Sequence, residues 1–272
     1  MNSRKYHAET LAVHAGQNPH GDPATNARAV PVYRTTAYNF RDSRHGADLF
    51  ALRELGNIYA RLMNPTNDAL AARIAALEGG AAAQTLSSGT AAIFFTITNI
   101  ARAGDEIVAA NNLYGGTFSQ FDAILPNAGI KVNFTPVNDF AAVEAAINEK
   151  TRLVFIEAVG NPALDVADVE KYAEVAHRHN LPLVVDATFT PPPLLRAIDH
   201  GADLVIHSLS KCIYRQWRRR YLPAFARSFP DSRGETVRTR RRNRLWRYSQ
   251  CGSVRQSRKG RRKCTRGSVA SP

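Results

Sequence analysis

Cysteine is scarce in this sequence and is absent from the first 211 residues. The three cysteines, Cys212, Cys251 and Cys264, form neither a disulfide framework nor a metal-ligand spacing. Long apolar runs are also lacking, since no segment approaches the roughly 18 apolar residues that a membrane-spanning helix needs. The start, MNSRKYHAET, has no apolar segment behind its charges, which argues against a signal peptide. We therefore expect a protein of the reducing cytoplasm that does not enter a membrane.

Acidic residues almost vanish after residue 211. Residues 1–211 hold 17 lysine and arginine residues against 21 aspartate and glutamate residues, a net charge of −4, whereas residues 212–272 hold 19 against 2, a net charge of +17. A tail of this kind could bind nucleic acid through its charge, with Trp217, Trp246 and Tyr248 stacking on bases. We favour a disordered, Arg-rich tail, because no motif for specific nucleic-acid recognition is present.

Between residues 67 and 207, helical patterns and short apolar runs follow one another. The expected strands are 106–110, 131–135, 153–158, 183–186 and 204–207, and the expected helices are 67–77, 89–101, 114–125, 140–149, 166–179 and 194–200. This alternation predicts an α/β fold whose mainly parallel sheet is covered on both faces. Residues 1–55 are interpreted as an extended arm, in which 30–38 is the only strand-like run.

Two residues stand where expected strands end, which is where ligands bind to parallel sheets. Lys211 follows an apolar strand, and a desolvated lysine loses its proton more easily and can attack an aldehyde cofactor. Asp186 ends a buried strand, where a carboxylate needs a partner such as a protonated pyridine nitrogen. Each residue also has a simpler explanation when it is taken alone. Lys211 could be a surface lysine, and Asp186 could cap a helix or form a hydrogen bond in a loop.

Small polar residues could bind a phosphate near these two positions. Ser88, Gly89 and Thr90 open an apolar helix, whose first N–H groups can bind an anion. A plain N-cap is the commoner explanation of such residues. Ser208 and Ser210 could donate their hydroxyl groups to the same phosphate.

Three larger side chains could complete a cofactor site. Tyr114 stands in a turn, where its ring could stack on a flat cofactor. Tyr59 and Arg61 are two apart on an extended stretch, so they project the same way, and arginine binds phosphate well. Alternatively, Tyr114 is an ordinary half-buried tyrosine, and Tyr59 and Arg61 are a surface pair. Together, the candidates supply an amine, a carboxylate, an aromatic ring and phosphate donors, which a pyridoxal-phosphate (PLP) site requires.

These motifs, in this order, resemble the Cys/Met-metabolism family of PLP enzymes over about residues 6–213. The stretches that carry the resemblance are Tyr59-Ala-Arg61 with Asn64-Pro-Thr66, Ser87-Ser-Gly-Thr90, Tyr114-Gly-Gly-Thr117, Gly160-Asn-Pro162, Asp186-Ala-Thr188 and His207-Ser-Leu-Ser-Lys211. The resemblance implies the large domain of an aspartate-aminotransferase-like fold (fold type I). Residues 56–213 would form an incomplete PLP-binding domain, and the C-terminal small domain would be missing.

The resemblance also implies a role for each residue. Lys211 would carry pyridoxal 5'-phosphate and shuttle protons, and Asp186 would pair with the pyridine nitrogen. Tyr114 would stack on the ring and act on the leaving group, and Asn161 would lie near the phenolic oxygen and the substrate. The remaining cofactor-binding residues would be Thr188 and the phosphate-binding set Ser88, Gly89, Thr90, Ser208 and Ser210.

Tyr59 and Arg61 would, by the same resemblance, reach the cofactor of the neighbouring subunit. A homodimer would then be the minimal active unit, and a tetramer is expected for an intact protein. Within the family, stretches such as Asn111-Asn-Leu-Tyr-Gly-Gly-Thr-Phe118 look most like O-acetylhomoserine sulfhydrylases. The implied reaction is γ-replacement on O-acetyl-L-homoserine by sulfide or a small thiol. Methionine γ-lyase, cystathionine γ-synthase and cystathionine lyase activities are the alternatives within the family.

From Tyr214 onward the resemblance stops. Family members continue into a glycine-rich loop and a second domain, whereas this chain continues Tyr-Arg-Gln-Trp-Arg-Arg. Our hypothesis is a frame-shifted reading of the gene, in which glycine and alanine codons become arginine codons. The substrate-carboxylate arginine of the family would then be missing and apolar surface would be exposed. We expect a weakly active or inactive chain, even if some cofactor binds.

Overall fold

A computed structural model describes residues 6–213 except Pro19, Pro23 and Pro193, so the Arg-rich segment 214–272 and its aromatic residues lie outside the described residues. The helices are α1 (Ala8–His14), α2 (Ser43–Phe50), α3 (Pro65–Glu78), α4 (Gly89–Ile100), α5 (Gly115–Ser119), α6 (Leu125–Asn127), α7 (Phe140–Ala146) and α8 (Val169–Arg178). A π-helical segment (Gln120–Ile124) joins α5 to α6, and a 3₁₀ turn (Ala197–His200) precedes the last strand.

Five parallel strands form one sheet in the order β2-β1-β3-β4-β5. They are β1 (Glu106–Ala110), β2 (Lys131–Thr135), β3 (Thr151–Glu157), β4 (Leu183–Asp186) and β5 (Leu204–Ile206). All four strand pairs are parallel. The predicted α/β fold with a parallel sheet is therefore confirmed.

Helices cover both faces of this sheet, because the central strands are apolar on both sides. On one face, Ile93 and Ile97 of α4 pack with Phe121 of the π segment against the sheet. On the other face, Tyr172 of α8 and Val143 of α7 pack against the alternate residues of the strands. The two buried layers fix the sheet from both sides and leave the strand ends as the places where polar side chains emerge.

Capping residues set the start and end of α3, whose last residue, Glu78, contacts His207. The Asn64 side chain accepts the Thr66 N–H, and Pro65 occupies the first turn, where its missing N–H costs nothing. Gly79 ends the helix with φ 77°, a left-handed conformation that glycine adopts without strain. The sequence predicted this helix at 67–77, two residues short at its start and one residue short at its end.

The segment interpreted as an extended arm contains two short helices that the sequence analysis did not predict. The α1 helix buries Ala12 against Leu77 of α3, and Asp42 caps α2 by accepting the His45 N–H. The expected strand at 30–38 is wrong, because only an isolated antiparallel bridge joins Ala37 to Tyr59. No helix in the described part of the chain has the length and apolarity needed to cross a bilayer.

Most other differences concern the ends of helices. The helix expected at 140–149 stops at Ala146, because Ile147 takes an extended conformation. The helix expected at 194–200 shortens to the 3₁₀ turn, because Arg196 is extended. The helix expected at 114–125 begins one residue later and contains the π-helical turn. Among the strands, β3 and β5 each end one residue earlier than expected, at Glu157 and Ile206.

Candidate active site

The carboxyl ends of the five strands form one edge of the sheet, and the strand order reverses at β1, where a ligand crevice is expected. The chain places β2 on one side of β1 and β3 on the other, and such reversals are the usual ligand sites of open parallel sheets. Tyr114 follows β1 and Glu157 ends β3. The backbone N–H of Tyr114 donates to Glu157 Oε1 at 2.8 Å, so this hydrogen bond spans the crevice.

The start of α4 lies against the end of β5. Gly89 is the first residue of α4, and a Cβ atom added there would lie 2.9 Å from Ser208 Cβ, so the close approach requires glycine. The N–H of Ser208 donates in turn to Thr188 Oγ1 at 2.9 Å. Ser88 caps the helix, since its Oγ accepts the Ala91 N–H at 3.0 Å. Four predicted cofactor residues thus meet at a helix start, where the first N–H groups suit an anion.

Asp186 ends β4 beside this group. Its Oδ1 accepts the Thr188 N–H at 2.9 Å. Burial raises the pKa of Asp186, while the hydrogen bonds from Thr188 and the charge of His207 act in the opposite direction. A carboxyl group in this position is ionised more easily when a cation meets it, as a protonated ring nitrogen would.

Lys211 differs from expectation in its burial. A turn follows β5, in which the Lys211 N–H donates to the Ser208 carbonyl at 3.1 Å, and the lysine is exposed. The turn carries the residue past the buried end of Ile206 and leaves it accessible at the edge. Ser210 and Thr90 are exposed as well, and the structure brings Lys211 and Ser208 together through the turn alone.

The ring of Tyr114 is half exposed and lies over Gly116. Tyr114 is 50% exposed, and a Cβ atom added to Gly116 would lie 2.6 Å from its Cε1 atom. A side chain at position 116 would therefore push the ring away from this position. The aromatic ring is accessible, and its stacking on a flat cofactor stays a prediction.

Asn161 follows β3 in a loop that packs against the loop after β1. Its neighbour Gly160 lies directly against the Asn112 side chain. Both polar side-chain atoms of Asn112 are buried and have no partner among the described residues. A buried amide without partners calls for a ligand or a water molecule. Asn112 is thus a polar residue near the site that the sequence analysis missed.

Tyr59 and Arg61 lie apart from the other candidates. The Arg61 guanidinium stands over the Tyr59 ring, 5.4 Å from its centroid, and both residues are exposed. They line an apolar cavity of about 470 Å³ with Phe40, Phe50 and Leu62. No hydrogen bond or ring contact within residues 6–213 joins the pair to the edge of the sheet. This separation is compatible with the expectation that the pair serves a neighbouring subunit.

Glu157 is the second residue that the sequence analysis missed. It is 5% exposed and pairs in register with Asp186 on the neighbouring strand. Burial raises the pKa of Glu157 to about 7, the Tyr114 N–H opposes this rise, and the charge of Asp186 adds to it. The sequence does contain a signal for Glu157, because this glutamate ends an apolar strand just as Asp186 does. It was missed because the expected strand, 153–158, continued past residue 157.

The residues at this edge fit a flat, phosphate-bearing ring. Asp186 is a half-buried carboxyl group whose ionised form a cation would stabilise, and the packing of Gly89 on Ser208 forms a cradle at a helix start. Lys211 is an accessible amine, and the Tyr114 ring is an open aromatic face. These features are the ones that the cofactor-binding edge of a PLP-dependent enzyme requires.

Comparison with known proteins identifies the family. The sequence model of the Cys/Met metabolism PLP-dependent enzymes matches residues 9–216. The chain belongs to this family, and the expected family and cofactor are confirmed. A sulfhydrylase of Fusarium oxysporum f. sp. lycopersici is 52% identical over 206 residues, which are 75% of this chain and 47% of that protein.

Two further proteins agree with this assignment. The homocysteine synthase of Schizosaccharomyces pombe is 52% identical over 208 residues, or 76% of this chain and 48% of that protein. The crystal structure of an O-acetylhomoserine (thiol)-lyase from Campylobacter jejuni, which contains a pyridoxyl-lysine monophosphate, has a TM-score of 0.73 and 40% identity, and the match covers 76% of this chain and 50% of that one. The chain spans about half the length of the relatives it matches.

Proposed function

We propose that this chain is the cofactor-binding part of an enzyme that replaces the acetyl group of O-acetyl-L-homoserine with sulfide or a small thiol. The observation that carries the proposal is the meeting of Gly89, Thr188 and Ser208 beside the half-buried Asp186, in a chain of this PLP-dependent family. The names of the similar sulfhydrylase, homocysteine synthase and thiol-lyase support the choice of reaction. The products would be homocysteine or methionine.

Each residue would act at a defined place. Pyridoxal phosphate, when bound, supplies a ring that withdraws electrons from the carbon atoms of an attached amino acid. Lys211 Nζ would hold the cofactor covalently and then accept and return protons. Asp186 would keep the ring nitrogen protonated, and Asn161 would orient the substrate side of the ring. The Tyr114 ring would stack on the cofactor, and its hydroxyl group would assist the leaving group.

The phosphate would be held at the start of α4. The first N–H groups of that helix and the hydroxyl groups of nearby residues would donate to it, and the helix dipole would favour its negative charge. The residues proposed for this role are Ser88, Gly89, Thr90, Thr188, Ser208 and Ser210. A dimer or tetramer in the cytoplasm, with Tyr59 and Arg61 in the neighbouring site, remains part of the proposal.

The cofactor assignment is tested by absorbance and by reduction. Full-length chain mixed with PLP should develop a visible band, and borohydride should then label the peptide that contains Lys211. The Lys211→Ala variant should show neither. Labelling of another lysine in the unmodified chain would overturn the assignment.

The reaction is tested separately, by supplying O-acetylhomoserine with and without sulfide. Sulfide-dependent homocysteine formation supports γ-replacement. Release of a keto acid without sulfide would point to γ-elimination, as in a lyase of the same family, and would overturn the proposed reaction while leaving the cofactor assignment in place.

A further inference from the structure

Glu157 has no role in the proposed function, although it ends β3, the middle strand of the sheet. It is 5% exposed, and it lies between two residues that the proposed function uses. Its Oε1 atom accepts the backbone N–H of Tyr114 at 2.8 Å. Its Cα atom is the register partner of Asp186 in the parallel ladder. Two carboxyl groups therefore stand side by side at the end of the sheet, and one of them is tied to the backbone of Tyr114.

A buried acid in this position has two consequences that follow from its charge. A carboxylate accepts an N–H more strongly than a neutral carboxyl group does, so ionised Glu157 holds the Tyr114 backbone more firmly. Two adjacent carboxyl groups, of which Glu157 is buried and Asp186 is half-buried, also resist double ionisation. A positive charge placed at Asp186 relieves that repulsion and favours the ionised form of Glu157.

We propose that Glu157 is a positioning residue that couples the Tyr114 loop to the charge state at Asp186. The inference deepens the proposed function and rests on it where the cofactor is concerned. Glu157 itself contacts neither the substrate nor the cofactor in this assignment. It acts through Tyr114 and through its carboxylate neighbour, so that a cation at the ring-nitrogen position tightens the loop that carries the stacking ring.

The charged and titratable groups around Glu157 come from three elements. Asp186 of β4 is the group whose charge acts directly on it. His207, which follows β5, acts in turn on Asp186. On the side of β1, Tyr114 presents its backbone N–H, and its side chain is half exposed. A pH transition at this site is therefore assigned by comparing variants of Glu157 and Asp186.

The first test follows the Tyr114 amide by NMR in the cofactor-free, full-length chain labelled with ¹⁵N-tyrosine. The Tyr114→Phe variant identifies the signal by its loss. We expect the signal to move with a midpoint near pH 7, to become flat in Glu157→Gln, and to shift its midpoint to lower pH in Asp186→Asn. A flat signal in the unmodified chain, or an unchanged midpoint in Asp186→Asn, overturns the inference.

A matched control is Glu106→Gln at the opposite end of the sheet. The Glu106 side chain is 12% exposed and accepts hydrogen bonds from Asn133 and Asn148, so it is a similar acid that lies away from the crevice. This variant should leave the Tyr114 titration unchanged. If Glu157→Gln does not fold, the unmodified chain labelled with ¹³C-glutamate provides the test. The Tyr114 amide signal and the Glu157 side-chain signal should then titrate with one midpoint. Separate midpoints would overturn the coupling.

The second test measures PLP binding between pH 6 and pH 8. A cofactor cation that favours ionised Glu157 must, by thermodynamic linkage, bind more tightly when Glu157 is ionised, that is, above the midpoint of its titration. The affinity for PLP should rise on the order of tenfold if the cofactor shifts the pKa of Glu157 by one unit. Glu157→Gln should lose this part of the pH dependence, and an unchanged profile overturns the cofactor side of the inference. If the unmodified chain binds no PLP while the Tyr114 amide still titrates as expected, the proposed function fails and the coupling within the protein stands.

Discussion

Glu78 and His207 form a buried pair that joins the end of α3 to the end of β5. Glu78 Oε1 lies 2.5 Å from His207 Nε2, and the two side chains are 4% and 3% exposed. The other polar atoms of the pair, Glu78 Oε2 and His207 Nδ1, have no partner within the described ranges. The pair therefore depends on a single contact, which fixes the residue before Ser208 and with it the cradle at α4.

Loss of His207 should destabilise the fold strongly. In His207→Leu, the Glu78 carboxyl group would stay in the interior without its partner, and breaking a buried pair in this way costs about 3–5 kcal/mol. The free energy of unfolding is measured by urea denaturation. The control is His179→Leu, because His179 pairs with Glu144 at the same 2.5 Å separation but with side chains 36% and 41% exposed. That variant should cost less than about 1 kcal/mol, and equal losses in both variants would contradict the role of burial.

Substitution of Gly89 should weaken cofactor binding more than it weakens the fold. In Gly89→Ala the new Cβ atom would meet the Ser208 Cβ at 2.9 Å and the Ser208 Cα at 3.2 Å, so α4 and the residue after His207 must separate. We expect PLP affinity to fall by about tenfold, which corresponds to about 1.4 kcal/mol. A fluorescence titration with PLP measures the change.

The matched variant for this test is Gly115→Ala. Gly115 also begins a helix, and a Cβ atom there would meet nothing within 4 Å. Its PLP affinity should stay within about twofold of that of the unmodified chain. The binding free energy would then change by less than about 0.5 kcal/mol, as expected for an unstrained surface substitution. An equal loss in Gly89→Ala and Gly115→Ala would show that the contact with Ser208 is unimportant.

The protein should lose stability as the pH rises toward 7. Burial raises the pKa of Glu157 to about 7 from the ordinary value of 4.5, so the folded chain binds a proton more tightly than the unfolded chain does. That stabilisation is complete below about pH 4.5 and is lost as the pH rises through about 7. The loss amounts to about 3 kcal/mol at most, at 1.36 kcal/mol per pKa unit.

Urea unfolding at pH 5, 6 and 7.5 measures this dependence, and Glu157→Gln should reduce its slope, while the raised pKa of Asp186 leaves part of the slope in place. Asp105, Glu106 and Glu144 have lowered pKa values, so they are ionised throughout this range and contribute little slope. Glu106→Gln should therefore retain the slope of the unmodified chain. A slope of the same size in Glu157→Gln would contradict the assignment.

The sequence predicted the sheet better than it predicted the contacts between elements. The bounds of β1, β2 and β4 agree with the prediction, because short apolar runs between polar turns define where each strand begins and ends. Which strands are neighbours does not follow from those runs. The register pair of Glu157 and Asp186 depends on the strand order, and Glu78 and His207 are 129 residues apart. For this reason Asp186, which ends β4, could be named from the sequence, whereas Glu157 and the contacts between elements could not.

Tyr59 and Arg61 should act on the cofactor of a second copy of the chain. They lie beside an apolar cavity among exposed side chains, since Phe50 and Leu62 are 68% and 64% exposed, and no hydrogen bond within residues 6–213 ties them to Asp186 or Lys211. Arg61→Ala alone should therefore bind PLP weakly, because its intact Lys211 lacks a phosphate contact from the partner. Lys211→Ala alone should form no visible band.

Mixed chains distinguish a shared site from a site within one chain. When Arg61→Ala and Lys211→Ala are unfolded together and refolded, a hybrid dimer has one site that combines the intact Lys211 of one chain with the intact Arg61 of the other. A fraction of the sample should then bind PLP with the affinity of the unmodified chain. Light scattering on the same sample checks that it is dimeric. If the mixture binds PLP no better than Arg61→Ala alone, the residues do not complete a neighbouring site, and their exposed position requires another explanation.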